Sequence, residues 1–239
     1  MLTQGNHKLG PHRIWTFSLP SGTPEMCPGM TATCRRHCYA IRMEGYRPAA
    51  AAKYRRNFDL SHRRDFARRV SAFIIANAIR VVRLHCGGDF YSPRYARTWL
   101  RIIRMSPRVQ FYFYSRAWVV SDIKLVIDRM AGLPNSRVWY SADADTGIPT
   151  DVPPRVRVAW LATNPDDRPP LGVDLVFRVR QLRSQPAKQG EPPVCPTEDG
   201  VIRPHRLTCD RCGYCWRPQI SDRISLPVIN PFPQGGVVE

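Results

Sequence analysis

Seven of the eight cysteines fall into two groups whose spacing suits metal chemistry. Cys27, Cys34 and Cys38 lie within twelve residues, separated by gaps of six and three. Three thiolates on one loop can hold three irons of a 4Fe-4S cluster and leave the fourth iron open to a small molecule. Arg35, Arg36 and Arg42 crowd the same stretch with positive charge that suits an anionic thiolate cluster. A zinc knuckle that recruits His37 and plain buried thiols are the alternatives, but the gaps fit neither common zinc signature. The second group, Cys195 with Cys209, Cys212 and Cys215, is a complete four-thiol set for either a 4Fe-4S cluster or tetrahedral zinc. Two-residue gaps between its last three cysteines resemble ferredoxin ligation more than a zinc ribbon, as does Pro196 directly after Cys195. Zinc is the alternative at this terminal site, where any metal would also supply folding free energy to a tail with little core of its own. His205 could replace one of these thiols and otherwise reads as a surface residue. Cys86 stands alone, as a small buried residue or a fourth ligand that folds back.

These residues must be held by regular elements, and the hydrophobic pattern supplies them. Residues 14–19 read as a short strand that leads into the first cysteine loop. Residues 49–78 are helical in character, with Phe66, Val70, Phe73 and Ile74 at spacings of three and four. A strand at 80–85, a helix at 93–105, a strand at 109–114 and a helix at 121–131 with Ser121 as its cap follow. Strands at 137–141, 156–162 and 175–180 complete a set of six. Strands alternating with helices predict βαβ units and a mainly parallel sheet. The fold class is α/β over residues 1–180. Residues 181–239 form a linker and a small Cys-rich C-terminal extension.

Ligands of parallel α/β folds bind beyond the carboxyl ends of the strands. The second predicted strand ends there in Cys86, Gly87, Gly88 and Asp89, where glycines let a ligand approach the backbone and the acid can accept from an amine or hydroxyl. Arg116, after the FYFY strand, is a candidate for an anionic ligand. Asp143 and Asp145, after the fourth strand, could bind ribose hydroxyls or cap a helix. The aromatic run 111–114 could stack on a base or form a buried strand. His85 reads as a strand residue pointing into the barrel.

The first cysteine loop and the Gly87, Gly88, Asp89 turn together resemble the radical S-adenosylmethionine (radical SAM) enzymes. In that family a cluster's open iron and a Gly-Gly-acid turn bind S-adenosylmethionine. The resemblance implies a cofactor contact for Gly87, Gly88, Asp89, Arg116 and Asp145, and a partial (βα)6 TIM-like barrel over residues 1–180. The cysteine gaps here are longer than is usual in that family. A second resemblance spans nearly the whole chain. GNHKLG, FSLPSG, CPG, CYA, GGDFYS and the terminal CxxCxxCW, in that order, are similar to the phage "gene product 88" type of proteins. That similarity implies a bacteriophage origin.

Charge and composition narrow the function. The formal charge is +17, from 36 Lys and Arg against 19 Asp and Glu, which suits a nucleic-acid or nucleotide partner. Hydrophobic residues at 43% and aromatics at 10% predict a folded protein rather than a disordered one. The longest apolar run, 71–84, is broken by Asn77, Arg80 and Arg83, so no membrane partner is expected. The first residues lack the layout of a secretory signal, which predicts a cytoplasmic location, the host cytoplasm for a phage-encoded chain. Two functional readings result. One is a radical-SAM-like iron–sulfur enzyme with one or two clusters, acting on nucleotide or nucleic acid. The other is a non-catalytic, metal-stabilised nucleic-acid-binding or redox-sensing regulatory protein.

Overall fold

Alternation sorts the strand side chains onto two faces, and each face finds a different cover. The computed structural model describes residues 1–10, 13–183, 185, 190–199 and 207–217; His205 lies outside them. Its strands are β1 (Thr3–Gln4), β2 (Ile14–Phe17), β3 (Val81–Leu84), β4 (Gln110–Ser115), β5 (Ser136–Ala142), β6 (Val156–Ala162) and β7 (Leu175–Arg178). They form one seven-stranded sheet in chain order. β1 pairs antiparallel with β2, and every pairing from β2 to β7 is parallel. All six predicted strands are present, and the sequence reading omitted β1. The architecture is mixed α/β with a mostly parallel sheet. Strand pairing does not show the predicted barrel, because no ladder joins β1 to β7 among the described residues.

Helices cover one face. Short helices α1 (Ala32–His37) and α2 (Tyr39–Tyr46) carry the first cysteine loop, and α3 (Pro48–Ser61), α4 (Phe66–Ala76), α5 (Pro93–Met105) and α6 (Ser121–Ala131) follow. The single predicted helix over 49–78 is in fact two. The chain turns at 62–65, where Asp65 pairs with Arg63 and Arg69. α5 begins as its sequence dictates, with Pro93 in the first turn and Ser92 Oγ accepting from Tyr95 N. Its inward side chains include Trp99, Ile102 and Ile103, all fully buried, each stabilising by about 1.5–3 kcal/mol. Ser121 is the first residue of α6 rather than its cap. Val120 holds the cap position without a side-chain bond, and the helix is seated by buried Ile123, Val126, Ile127 and Met130. Val82, Leu84, Phe111, Phe113, Val138 and Tyr140 meet these helices from the sheet in the main core.

The opposite face is covered by the N-terminal segment and the cysteine-rich tail. Leu9, Ile14, Val81, Tyr112 and Trp216 form one small core there, and Trp139, Ala159 and Leu175 form another against Tyr214 and Cys215. Residues 193–195 run along the outer edge of β7, with Val176 N donating to Pro193 O and Cys195 N to Val176 O, both 2.9 Å. Cys209 N then donates to Lys8 O at 2.9 Å. The chain segment beyond residue 180 thus buries Trp216 on the same sheet that the first 180 residues build.

His85 departs from the barrel-facing orientation read from its strand position. Its φ of 57° turns the chain at the end of β3, so the ring enters the helix layer, where Nε2 meets Tyr95 Oη at 3.0 Å and the ring packs edge-on to Phe90. Burial there holds its pKa down to about 3. The folded-state pKa is below the unfolded value of about 6.5, so the neutral ring contributes stability above pH 6.5 that is lost as pH falls toward 3. The unfolding free energy of the native chain minus that of His85→Asn, a residue that tolerates positive φ, is expected to be flat above about pH 6.5. Below it the difference should fall by about 1.4 kcal/mol per pH unit in urea titrations.

Candidate metal centre

The carboxyl ends of β2 to β5 and the loops after them bring the predicted residues of the first site together. Thr31 starts α1, its Oγ1 accepting from Cys34 N at 2.9 Å while donating to Asp143 Oδ2 at 2.8 Å. Two residues on, Thr33 N donates to Asp145 Oδ2 at 2.9 Å. The loop after β5 therefore grips the helix that carries Cys34. Arg116, at the end of β4, completes the clamp: its Nη1 lies 2.8 Å from Asp143 Oδ2, with the two side chains 8% and 0% exposed.

Asp89 ties the second turn to the same place. Its carboxylate accepts from Phe90 N, Ser115 Oγ, Arg116 N and Ala117 N, at 2.7–3.1 Å, and its own N–H donates to Met26 O at 3.0 Å. Burial pushes its pKa up, against the pull of those donors. In this structure Oδ1 is taken by Phe90 N and Ser115 Oγ and Oδ2 by Arg116 N and Ala117 N, so both oxygens tie the loop after β3 to the end of β4. The glycines also pack closely: Gly88 (φ 73°) donates to Ser21 Oγ, and a Cβ at Gly87 would come within 2.8 Å of that oxygen. All five predicted ligand contacts are engaged with neighbouring protein groups, and of them Asp145, which accepts from Thr33 N, is exposed.

Cys27 and Cys34, both half-buried, lie close to the charges of this clamp. Burial raises the Cys27 pKa to about 12, reinforced by the Asp89 charge and by Cys34 and Cys38. Cys34 is also raised by burial, and Arg116 opposes the rise. Each thiolate thus disfavours the next, the electrostatic situation that a bound cation relieves by displacing protons. Gly29, within the loop, touches Arg116 so closely that a Cβ would sit 2.1 Å from its carbonyl oxygen. Backbone cannot yield there. Gly29→Ala is expected to cost about 1–3 kcal/mol and to speed tryptic cleavage at Arg35 and Arg36, read by limited proteolysis.

The second thiol group lies across the sheet. Cys209, Cys212 and Cys215 are carried by the helical turn Cys209–Cys212 and the turn after it, and Cys195 by the edge segment. Burial raises Cys215, with the charges of Cys195, Cys209 and Cys212 adding to the rise. Cys209 is raised to about 11 by burial, opposed by Arg83 and Lys8. Tyr114 Oη donates to Cys215 Sγ at 2.8 Å and Trp139 Nε1 to Cys215 O at 3.1 Å. The FYFY strand is therefore a buried strand whose second tyrosine reaches the tail. Among the described residues, no three His, Cys, Asp or Glu side chains stand close enough to hold a single metal ion.

Several partners were missed from sequence. Arg83 packs against the rings of Tyr112 and Tyr114 on the tail side, and Lys8 pairs with Glu198. The half-buried Cys86 lies on this side as well, in the cluster with Tyr112, Cys209 and Cys215. Arg83 carried a legible signal: it alternates with Val82 and Leu84 and so had to face away from the helices.

Fold and site together define an α/β protein with a cysteine loop clamped at the carboxyl edge of a parallel sheet and a four-cysteine tail on the sheet's other face. The chain belongs to the Gene product 88 family, whose model matches residues 1–218. It is 32% identical over 214 residues to the Gene 88 protein of Mycobacterium phage L5, covering 84% of this chain and 82% of that one. It is 31% identical over 141 residues to the Gene 88 protein of Mycobacterium phage D29, covering 54% and 57%. No solved structure matches. Among the described residues, no helix is long and apolar enough to cross a membrane.

Proposed function

We propose that the chain is an iron–sulfur protein built on a radical-SAM-like partial barrel. Cys27, Cys34 and Cys38 would hold a 4Fe-4S cluster with one open iron, and Cys195, Cys209, Cys212 and Cys215 a second. The observation that carries this reading is the grouping of three half-buried, mutually repelling thiols on one loop at the carboxyl edge of parallel strands, with Cys34 beside Arg116. The donor chemistry fits, since thiolates are the usual ligands of such clusters. Around a single zinc, at about 2.3 Å per bond, thiolates must crowd one point, whereas a four-iron cube spreads its ligands over a larger volume. A cluster bound at the first site would supply one-electron chemistry to a small molecule such as S-adenosylmethionine.

This chain's own residues do the positioning. Asp143 and Asp145 hold the start of α1, Arg116 neutralises Asp143 and faces Cys34, and Asp89 fixes the loop that carries Arg116. A second reading, a non-catalytic protein that uses metal for shape or redox sensing, is favoured by the commitment of Asp89 and Arg116 to protein partners. Isothermal calorimetry with S-adenosylmethionine on iron-loaded, anaerobically handled protein separates the two. Heat of binding that Cys34→Ala abolishes supports the enzyme reading, and no binding to an intact cluster supports the second.

A further inference from the structure

Helix α5 presents to solvent a stripe of one charge. Arg94, Arg97, Arg101 and Arg104 are all exposed, and their intervals of three, four and three residues put them on one face. The stripe is about 15 Å long at 1.5 Å per residue. Behind it Tyr95, Ala96, Trp99, Leu100, Ile102 and Ile103 are buried, so the helix cannot rotate the arginines elsewhere. Its thirteen residues, PRYARTWLRIIRM, contain no acid.

Neighbouring helices balance their charges: Arg69 lies on Asp65, and Lys124 on Asp128 and Asp151. Among the described residues the four arginines of α5 have no ion-pair partner. Three like-charge neighbours at these spacings each cost about 0.2–0.5 kcal/mol. Arg94, in the first turn, also stands where the helix dipole disfavours a cation. A face kept only for solubility would mix signs as α6 does. Arginine in place of lysine adds forked donors that match phosphate oxygens. A membrane surface would call for apolar side chains between the cations, and on this helix only Met105, at 52%, is a large exposed apolar residue.

We propose that this stripe docks the phosphodiester backbone of nucleic acid. The inference does not rest on the iron–sulfur reading, and a chain without iron would keep the surface. The test is fluorescence anisotropy of full-length protein with labelled single-stranded and duplex oligonucleotides over a salt series. The triple variant R97Q/R101Q/R104Q is compared with R55Q/R56Q/R129Q, which removes the same charge from exposed positions on α3 and α6. The stripe variant is expected to bind at least ~10-fold more weakly and to lose about three from the slope of log K against log salt. The control should lose clearly less. The stripe variant's thermal midpoint should equal or exceed that of the native chain, because repulsion along α5 is relieved. Should the triple variant unfold, Arg101→Gln alone is expected to lower the slope by about one. Equal losses in both triple variants, unchanged binding in the stripe variant, or binding to anionic vesicles but not to oligonucleotides would overturn the proposal.

Discussion

Arg116→Met is expected to lower the unfolding free energy by about 3–5 kcal/mol, the cost of leaving one partner of a buried ion pair uncompensated. Arg116 is 8% exposed and Asp143 is fully buried, with 2.8 Å between Nη1 and Oδ2. Methionine fills much of the same volume, so the loss reports charge rather than a cavity. Asp143 would keep its bonds from Thr31, Asp145 N and Thr146 N, which is why local rather than global collapse is expected. Chemical denaturation gives the magnitude. The double variant Arg116→Met with Asp143→Asn should recover a large part, because the stranded charge is gone. A loss under about 1 kcal/mol in the single variant would mean that water screens the pair and that it does not clamp the loop.

The second large effect concerns the thiols themselves. Cys34→Ala and Cys212→Ala are each expected to remove one cluster, about four irons and four sulfides per chain, and the double variant to remove both. The first group lies at the carboxyl edge of the sheet and the second on its tail-covered face, held by separate bonds, so their losses should add. The consequences for folding should differ. Among residues 207–217 only Leu207 and Trp216 are buried hydrophobics, and a bound metal would contribute folding free energy there. Cys212→Ala should therefore expose the tail to proteolysis, while Cys34→Ala leaves it docked. Inductively coupled plasma mass spectrometry with sulfide analysis reads the first effect, and trypsin digestion the second.

Much of the sheet and its helices was legible because each signal was local. The α5 boundaries follow from Ser92-Pro93 at one end and a strong apolar face throughout, and β6 from a mostly apolar run, VRVAWLA, broken only by Arg157. The helices α1 and α2 were hidden because Cys, Arg and Tyr give no apolar period, although Thr31, three residues before Cys34, is a capping signal. The candidate residues of the first site lie together because parallel strands deliver their carboxyl ends to one edge. Their hydrogen-bond partners were not legible. Whether Asp89 meets a ligand or the backbone of Arg116 and Ala117 depends on loops brought together across 27 residues and more, and no local pattern encodes that. The placement of the tail against Tyr114 and Trp139 is equally non-local.

The central claim is that both thiol groups hold iron and sulfide. The most direct measurement is the iron, zinc and acid-labile sulfide content of full-length protein purified without oxygen, together with its visible absorption. Broad visible bands that bleach on reduction and about eight irons per chain, with matching sulfide, are expected. Folded protein that carries zinc at full occupancy, or neither iron nor sulfide, would contradict it.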